Sequence, residues 1–280
     1  MKISDAFNAG LERLNYSNIE DAQFDCDCLF ENCFGYGKAK RITHADDLAD
    51  ENAVRFFNSL VDRRAKGEPL QYLLGKWPFM NFEFSVGEGV LIPRPETELL
   101  VEKADEYING RDPKLIVYDL CAGSGAIGLT LARMHPECEF YLLEKYDGAL
   151  KYLNENLQSI GVGNAEVIQY DIFDGYNENL PKPDLILSNP PYIASGEIAS
   201  LQTEVINEPH TALDGGKDGL DFYRCLFEKW FKHINSGGCM ILECGDNQSG
   251  SIKEIFNAES VGFEVFYDLN NIDRTVKINV

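Results

Sequence analysis

No stretch of the chain approaches the roughly 20 consecutive apolar residues that a bilayer-spanning helix needs, which excludes a helical membrane span. The first residues, Met1-Lys2-Ile3-Ser4-Asp5-Ala6-Phe7, lack the long apolar core of a secretory signal, so the expected compartment is the cytoplasm. Basic residues are scarce. Lys and Arg total 25 against 46 Asp and Glu, a formal net charge of −21. That balance, with no basic stretch, argues against a nucleic-acid partner, whose phosphates call for a basic footprint. It suits a basic protein partner instead. The four histidines, His44, His135, His210 and His233, show no ligand spacing, and none of the eight cysteines forms a Cys-x-x-Cys pair. Cys26, Cys28 and Cys33 cluster, but they read as buried thiols of a helix, and no metal is expected.

What the chain does contain is enough apolar material, 44 % of 280 residues, for one large domain and one small one. Up to residue 66 the apolar positions recur at helical spacing: Phe7, Leu11 and Leu14, then Phe56/Phe57 and Leu60/Val61. This first part, residues 1–66, is expected to be a helical bundle that docks substrate. Over residues 67–95, Phe82, Phe84 and Val86 alternate with polar neighbours. Gly87-Glu88-Gly89 then leads into Val90-Leu91-Ile92-Pro93, which predicts a β-hairpin linker. Over residues 96–280, strands and helices alternate. Strands are expected at 115–118, 140–143, 167–168, 185–187 and 240–242, with two more near 263–269 and 275–280. Helices are expected at 96–109, 127–134, 147–159, 220–234 (capped by Asp218) and 249–258. The alternation predicts an α/β fold, a mostly parallel sheet covered on both faces with an antiparallel edge.

Three strand ends in this part carry matching chemistry. The first runs into Asp119-Leu120-Cys121-Ala122-Gly123-Ser124-Gly125-Ala126, where small residues let backbone approach a ligand. The second ends in Glu144, placed to accept hydrogen bonds from both hydroxyls of a ribose. The third ends in Tyr170-Asp171-Ile172-Phe173, where Asp171 can accept from an adenine amino group and Ile172 or Phe173 can lie against the ring. No Gly-Lys-Ser/Thr follows the loop, so the ligand is an adenosine without a triphosphate or a dinucleotide.

The fourth strand stops at Asn189-Pro190-Pro191-Tyr192. Two prolines cannot continue a central strand, and their rigidity fixes what stands beside them. A bound –NH2 group needs two acceptors, and the Asn189 side-chain oxygen and the Pro190 carbonyl supply them. Tyr192 offers a flat face for a planar substrate group.

With these motifs in place, the chain resembles the HemK/PrmC family of release-factor glutamine N5-methyltransferases. Further segments carry the resemblance: Glu68–Gly75, Leu91-Ile92-Pro93-Arg94-Pro95-Glu96-Thr97-Glu98, Glu208-Pro209, Asp214–Tyr223 and Asp273-Arg274. It implies a Rossmann-like class I methyltransferase domain with a seven-stranded sheet, acting as a monomer. The implied cofactor is S-adenosylmethionine, held by Asp119, Cys121, Ala122, Gly123, Ser124, Gly125, Glu144, Asp171, Ile172 and Asn189. The implied substrate is the Gly-Gly-Gln glutamine of class-one peptide chain release factors, received by Asn189, Pro190, Pro191 and Tyr192, with Asn189, Pro190 and Tyr192 catalytic. The chain departs from the family's pattern at Cys121, where the family usually has Gly, and at Ile172, where some relatives carry Trp. A Cys at position 121 must avoid positive φ or strain the turn by roughly 1 kcal/mol. Three other readings compete: a ribosomal-protein glutamine methyltransferase, a DNA amino-methyltransferase sharing the Asn-Pro-Pro-Tyr site, and a non-catalytic nucleoside-binding protein.

Overall fold

The computed structural model describes residues 1–111, 114–257 and 261–280. Two compact units divide them: Met1–Lys76 with Gln202–Asn207, and Trp77–Leu201 with Glu208–Val280.

The first unit is helical. It contains α1 (Ile3–Tyr16), α2 (Ala22–Phe34), α3 (Lys38–Thr43), α4 (Glu51–Arg64) and α5 (Leu70–Leu74). Asp50 starts α4 by accepting the backbone N–H groups of Asn52 and Ala53, both at 2.9 Å, which satisfies donors that a helix start leaves free. Phe30 is the aromatic hub, stacked on Phe34 at 4.1 Å and edge-on to Phe7 and Phe57 at 5.5 and 5.3 Å. Gly10 is required beside it, because a Cβ there would stand 2.6 Å from the Phe57 ring. Of the clustered cysteines, Cys26 is buried in α2, and Cys28 and Cys33 are half-buried.

The second unit begins with a hairpin of β1 (Lys76–Phe79) and β2 (Phe82–Ser85), followed by α6 (Thr97–Asn109). Then come β3 (Ile116–Leu120), α7 (Ala126–Met134), β4 (Glu139–Glu144), α8 (Asp147–Ile160), β5 (Ala165–Gln169) and β6 (Leu185–Ser188). The short helix α9 (Thr203–Ile206) lies on the stretch that belongs to the first unit. The second unit resumes with α10 (His210–Leu213), α11 (Asp221–Lys229), β7 (Cys239–Glu243), α12 (Ser249–Ile255), β8 (Phe263–Tyr267) and β9 (Asp273–Asn279). The large sheet has seven strands in the order β5-β4-β3-β6-β7-β9-β8. Its first five strands run parallel, and β9 pairs antiparallel with both β7 and β8.

Successive residues of a strand face opposite sides, and both sides here are covered, so the central strands are continuously apolar. Val117, Leu185, Leu187, Cys239 and Ile241 pack on the side of α6, α7 and α8. Tyr118, Leu120, Ile186, Met240 and Leu242 pack on the side of α11 and α12.

The structure differs from the sequence reading in two elements. The hairpin pairs β2 with β1, not with residues 90–93. Those residues cannot join a ladder: the Ile92 N–H is taken by the Glu208 carboxylate at 3.0 Å, and Pro93 and Pro95 lack the N–H groups to extend one. The helix expected over 220–234 ends at Lys229 and gives way to a 3-10 turn at Phe231–His233, as fully buried Trp230 turns inward to donate its indole N–H to the Ile172 carbonyl at 2.9 Å. Asp218 holds the Leu220 N–H at 3.2 Å just before α11, as expected of a cap. The last helix is described to Ile255, and Ala258, its expected end, lies outside the described residues.

Candidate active site

Chain order runs outward from β3 to β4 and β5, then returns to β6 on the other side of β3. Such a reversal opens a crevice beyond the carboxyl ends of the two strands, where ligands of α/β sheets bind. The loop after β3 and Asn189 after β6 flank that crevice.

The loop turns by left-handed backbone at Cys121 (φ 61), Gly123 (φ 57) and Gly125 (φ 82). Gly125 is obligatory twice over, since a Cβ there would also come within 2.5 Å of Leu153 and 2.7 Å of Leu129. Cys121 has taken the strained alternative left open by the sequence. Fully buried Asp119 anchors the loop by accepting the Gly128 N–H at 2.9 Å. Its other oxygen has no partner among the described residues, and burial raises its pKa to about 7. Asn156, fully buried in α8, donates to the Ser124 carbonyl at 2.9 Å and to that of Ser85 at 3.1 Å, and accepts the Ser85 N–H at 2.7 Å.

Glu144 accepts three backbone N–H groups: Gly123 at 2.9 Å on Oε2, and Lys145 and Tyr146 at 2.8 and 2.9 Å on Oε1. A carboxylate offers about four acceptor positions, so Oε2 keeps room for about one more donor. Asp171 stands just beyond β5, with Oδ1 on the Phe173 N–H at 2.9 Å and Oδ2 on Lys145 Nζ at 2.8 Å. Burial pushes its pKa up, but the Lys145 and Phe173 bonds outweigh that, and the net direction is down. Ile172 is buried, while Phe173 is 38 % exposed and edge-on to Phe222 at 5.0 Å.

One cleft gathers these groups. Cys121, Ala122, Gly123, Ser124, Glu144, Asp171 and Ile172 line it together with Asn189 and Pro191. Of the predicted site residues, Asp119, Gly125, Pro190 and Tyr192 are not part of this wall. Asp119 and Gly125 shape the loop from behind, Pro190 is buried, and half-buried Tyr192 packs with the apolar cluster under α11. The Tyr192 carbonyl is held by Gln248 Nε2 at 2.9 Å. Beyond it the chain pairs with residues 213–216, through Ile193 N–H to Leu213 at 3.0 Å and Gly215 N–H to Ile193 at 2.8 Å.

Sequence reasoning gave no role to three polar side chains that hold the site. Glu208, its side chain 1 % exposed, takes the Ile92 N–H and pairs with Arg94, a residue of the cleft wall. Thr97, the first residue of α6, accepts Asn189 Nδ2 on its hydroxyl at 3.2 Å. Glu243, at the end of β7, is 2 % exposed, and burial raises its pKa to about 7. Thr97 and Glu208 stood in segments that carry the family resemblance, whereas Glu243 offered only its position, an acid closing the apolar strand beside β6.

Together the sheet order, the glycine-bent loop and the cleft at the switch point define a class I methyltransferase. The comparisons agree: residues 95–218 match the methyltransferase small domain family, and residues 5–75 match the PrmC N-terminal domain. The hMettl16 catalytic domain, solved with a MAT2A 3'UTR hairpin, shares the fold at a TM-score of 0.55 and 14 % identity, over 82 % of each chain. More specific are two proteins called release factor glutamine methyltransferase. That of Thermodesulfovibrio yellowstonii is 35 % identical over 99 % of this chain and 97 % of its own. That of Clostridium acetobutylicum is 34 % identical over 99 % and 98 %. The chain belongs to the release factor glutamine methyltransferase family.

Proposed function

We propose that the protein methylates the side-chain amide nitrogen of the glutamine in the Gly-Gly-Gln motif of class-one peptide chain release factors, with S-adenosylmethionine as methyl donor. The observation that carries the chemistry is Asn189, at the carboxyl end of β6, its –NH2 engaged by Thr97 and its oxygen left for a substrate. The substrate assignment rests on the full-length relatives.

The donor set fits an adenosine-containing cofactor. Glu144 offers its remaining acceptor position to a ribose hydroxyl, Asp171 accepts from the adenine amino group, and Ile172 and Phe173 flank the ring. When bound, S-adenosylmethionine supplies an electrophilic methyl group. The protein's part is alignment and electrostatics. An amide nitrogen is a weak nucleophile because its lone pair is delocalised. Positive charge grows on it as the N–C bond forms and the S–C bond breaks. Asn189 Oδ1 and the Pro190 carbonyl, fixed before the reaction, stabilise that charge and hold the nitrogen in line. Tyr192 bounds the substrate plane, and the proton lost from nitrogen goes to water. The helical first unit is the docking module, and the enzyme works as a cytoplasmic monomer without metal.

Methyl transfer from labelled cofactor to four substrates tests the reading: a release factor, its Gln→Ala variant at the motif, a ribosomal protein and duplex DNA. Label belongs only in the intact release factor. Equal label in the Gln→Ala variant rules out the site, and label in ribosomal protein or DNA alone assigns the enzyme to a sister activity. Asn189→Ala lowers kcat by roughly 10²-fold or more while cofactor binding persists.

A further inference from the structure

The acceptor that Pro190 offers is only as well aimed as the backbone that carries it. The rings lock φ at Pro190 and Pro191, and the proline that follows narrows the rotation left at Pro190. Neither residue has an N–H by which a neighbour could hold it. The segment must therefore be held from its two ends. Upstream, Ser188 closes β6 in register with Leu120 and Leu242. Downstream, the anchor is the peptide between Tyr192 and Ile193. Its carbonyl accepts from Gln248 Nε2 at 2.9 Å, and its N–H donates to the Leu213 carbonyl at 3.0 Å. A peptide is planar, so bonds on opposite edges fix the whole unit.

The Gln248 amide can sit one way only. Its Oε1 accepts the Gly245 N–H at 3.0 Å, and a backbone N–H only donates. Its Nε2 faces the Tyr192 carbonyl, which only accepts. Gln248 stands on the turn between β7 and α12, closed by its own N–H on the Gly245 carbonyl at 3.1 Å. Asp273 of β9, 7 % exposed, holds that turn on both sides of Gln248, taking the Asn247 N–H at 2.8 Å and the Ser249 N–H at 3.1 Å. Gly219 leaves the room, since a Cβ there would stand 2.3 Å from the Tyr192 oxygen and 2.9 Å from Gln248 Nε2. Gly219 and Asp273 lie in segments that carry the family resemblance, yet neither lines the cleft.

We propose that Gln248 is a positioning residue for methyl transfer, which holds the Tyr192–Ile193 peptide and thereby aims the Pro190 carbonyl at the substrate –NH2. The inference rests on the methyl-transfer reading for its consequence. The carbonyl acts where positive charge grows, so a misdirected Pro190 costs the transition state more than it costs cofactor binding. Asp273 and Gly219 act one step further back, the first by holding the turn, the second by leaving space.

Two variants test this. Gln248→Met keeps the length and removes both polar atoms. Gln248→Glu keeps the shape, but its carboxylate sets an acceptor against the Tyr192 carbonyl. Once protonated, that carboxyl again offers one donor and one acceptor. Around it stand Asp246 in the turn, Glu243 at the end of β7, Asp273 and Arg274 of β9, and Asp218 beside Gly219. Arg274 is paired with Asp246, and Arg224 with Asp218. Ratios to wild type at each pH remove what these groups contribute to both proteins. At pH about 8, kcat should fall about 10–100-fold in both variants, with cofactor affinity and KM for the release factor within about threefold of wild type. Between pH about 8 and about 5.5, kcat of Gln248→Glu relative to wild type should climb about fivefold or more, while that of Gln248→Met stays level. The 13C signal of the Tyr192 carbonyl, read with neither substrate nor cofactor, should shift in Gln248→Met. Undiminished kcat in Gln248→Met overturns the proposal, as does a loss carried by KM or cofactor affinity alone, a level ratio in Gln248→Glu, or an unmoved carbonyl signal. If wild type labels no release factor, the methyl-transfer reading fails, while the carbonyl signal still decides whether Gln248 holds the peptide.

Discussion

At position 121 the cofactor loop places a cysteine where φ is 61, a conformation in which a side chain crowds the backbone. The cost is testable by comparing two variants that differ by one methyl group. Cys121→Gly should be more stable to urea than Cys121→Ala by about 1 kcal/mol, reversing the usual order of the two residues. Equal stabilities would mean that the loop absorbs the side chain without strain. Glu144 makes a second residue-scale case. It is both the acceptor for three loop N–H groups and a candidate ribose contact. Glu144→Ala should weaken S-adenosylmethionine binding by about 1.5–3 kcal/mol, measured by calorimetry. Unchanged affinity would remove it from the site.

Elements are joined here by buried polar side chains more than by loop sequence. Asn156 of α8 bridges Ser85 at the end of β2 to Ser124 of the cofactor loop, so the small hairpin and the loop share one support. Asn156→Ala leaves several buried backbone groups without partners. It should cost about 2–4 kcal/mol of unfolding free energy and weaken cofactor binding together with it. A loss below about 0.5 kcal/mol in denaturant titration would show that water replaces the bridge. The helical unit has its own example. Arg64, 4 % exposed, donates to Asp25 at 2.6 Å and pairs with Glu204, while Asn207 donates to the Gly67 carbonyl at 2.8 Å. These contacts assign Gln202–Asn207, which comes after the Asn189–Tyr192 motif in sequence, to the first unit.

For the whole molecule, acid buried in the core couples stability to pH. The carboxyls of Asp119 and Glu243 titrate at about 7 in the folded protein, above their ordinary 3.8 and 4.5, because burial disfavours the charge. The folded state then holds more protons than the unfolded one between those limits. Their stabilising contribution is full below the ordinary values and is lost as pH rises through about 7. Unfolding free energy should therefore fall between pH about 5.5 and about 8, and Glu243→Gln should fall less than wild type, by about 1–3 kcal/mol. A wild-type profile that rises over this range, or an identical profile in the variant, would contradict the assignment. The surplus of acid, net −21, acts in the same direction, since each further ionisation adds repulsion.

The sequence by itself determined the succession of strands and helices, the loop at Asp119–Ala126, the acids at 144 and 171, and the turn at Asn189–Tyr192. Those signals are local: periodicity, glycine and proline chemistry, and a polar residue closing an apolar strand. Tertiary structure alone decided which strand paired with β2, because a carboxylate 116 residues away in sequence occupies the Ile92 N–H. It decided that Cys121 would accept positive φ, because the turn between β3 and α7 is fixed by the elements at both ends. It decided, too, that Thr97 at the start of α6 would meet Asn189 just beyond β6, since α6 packs on the same face of the sheet as Leu185 and Leu187. No spacing along the chain records a hydrogen bond between Thr97 and Asn189, 92 residues apart.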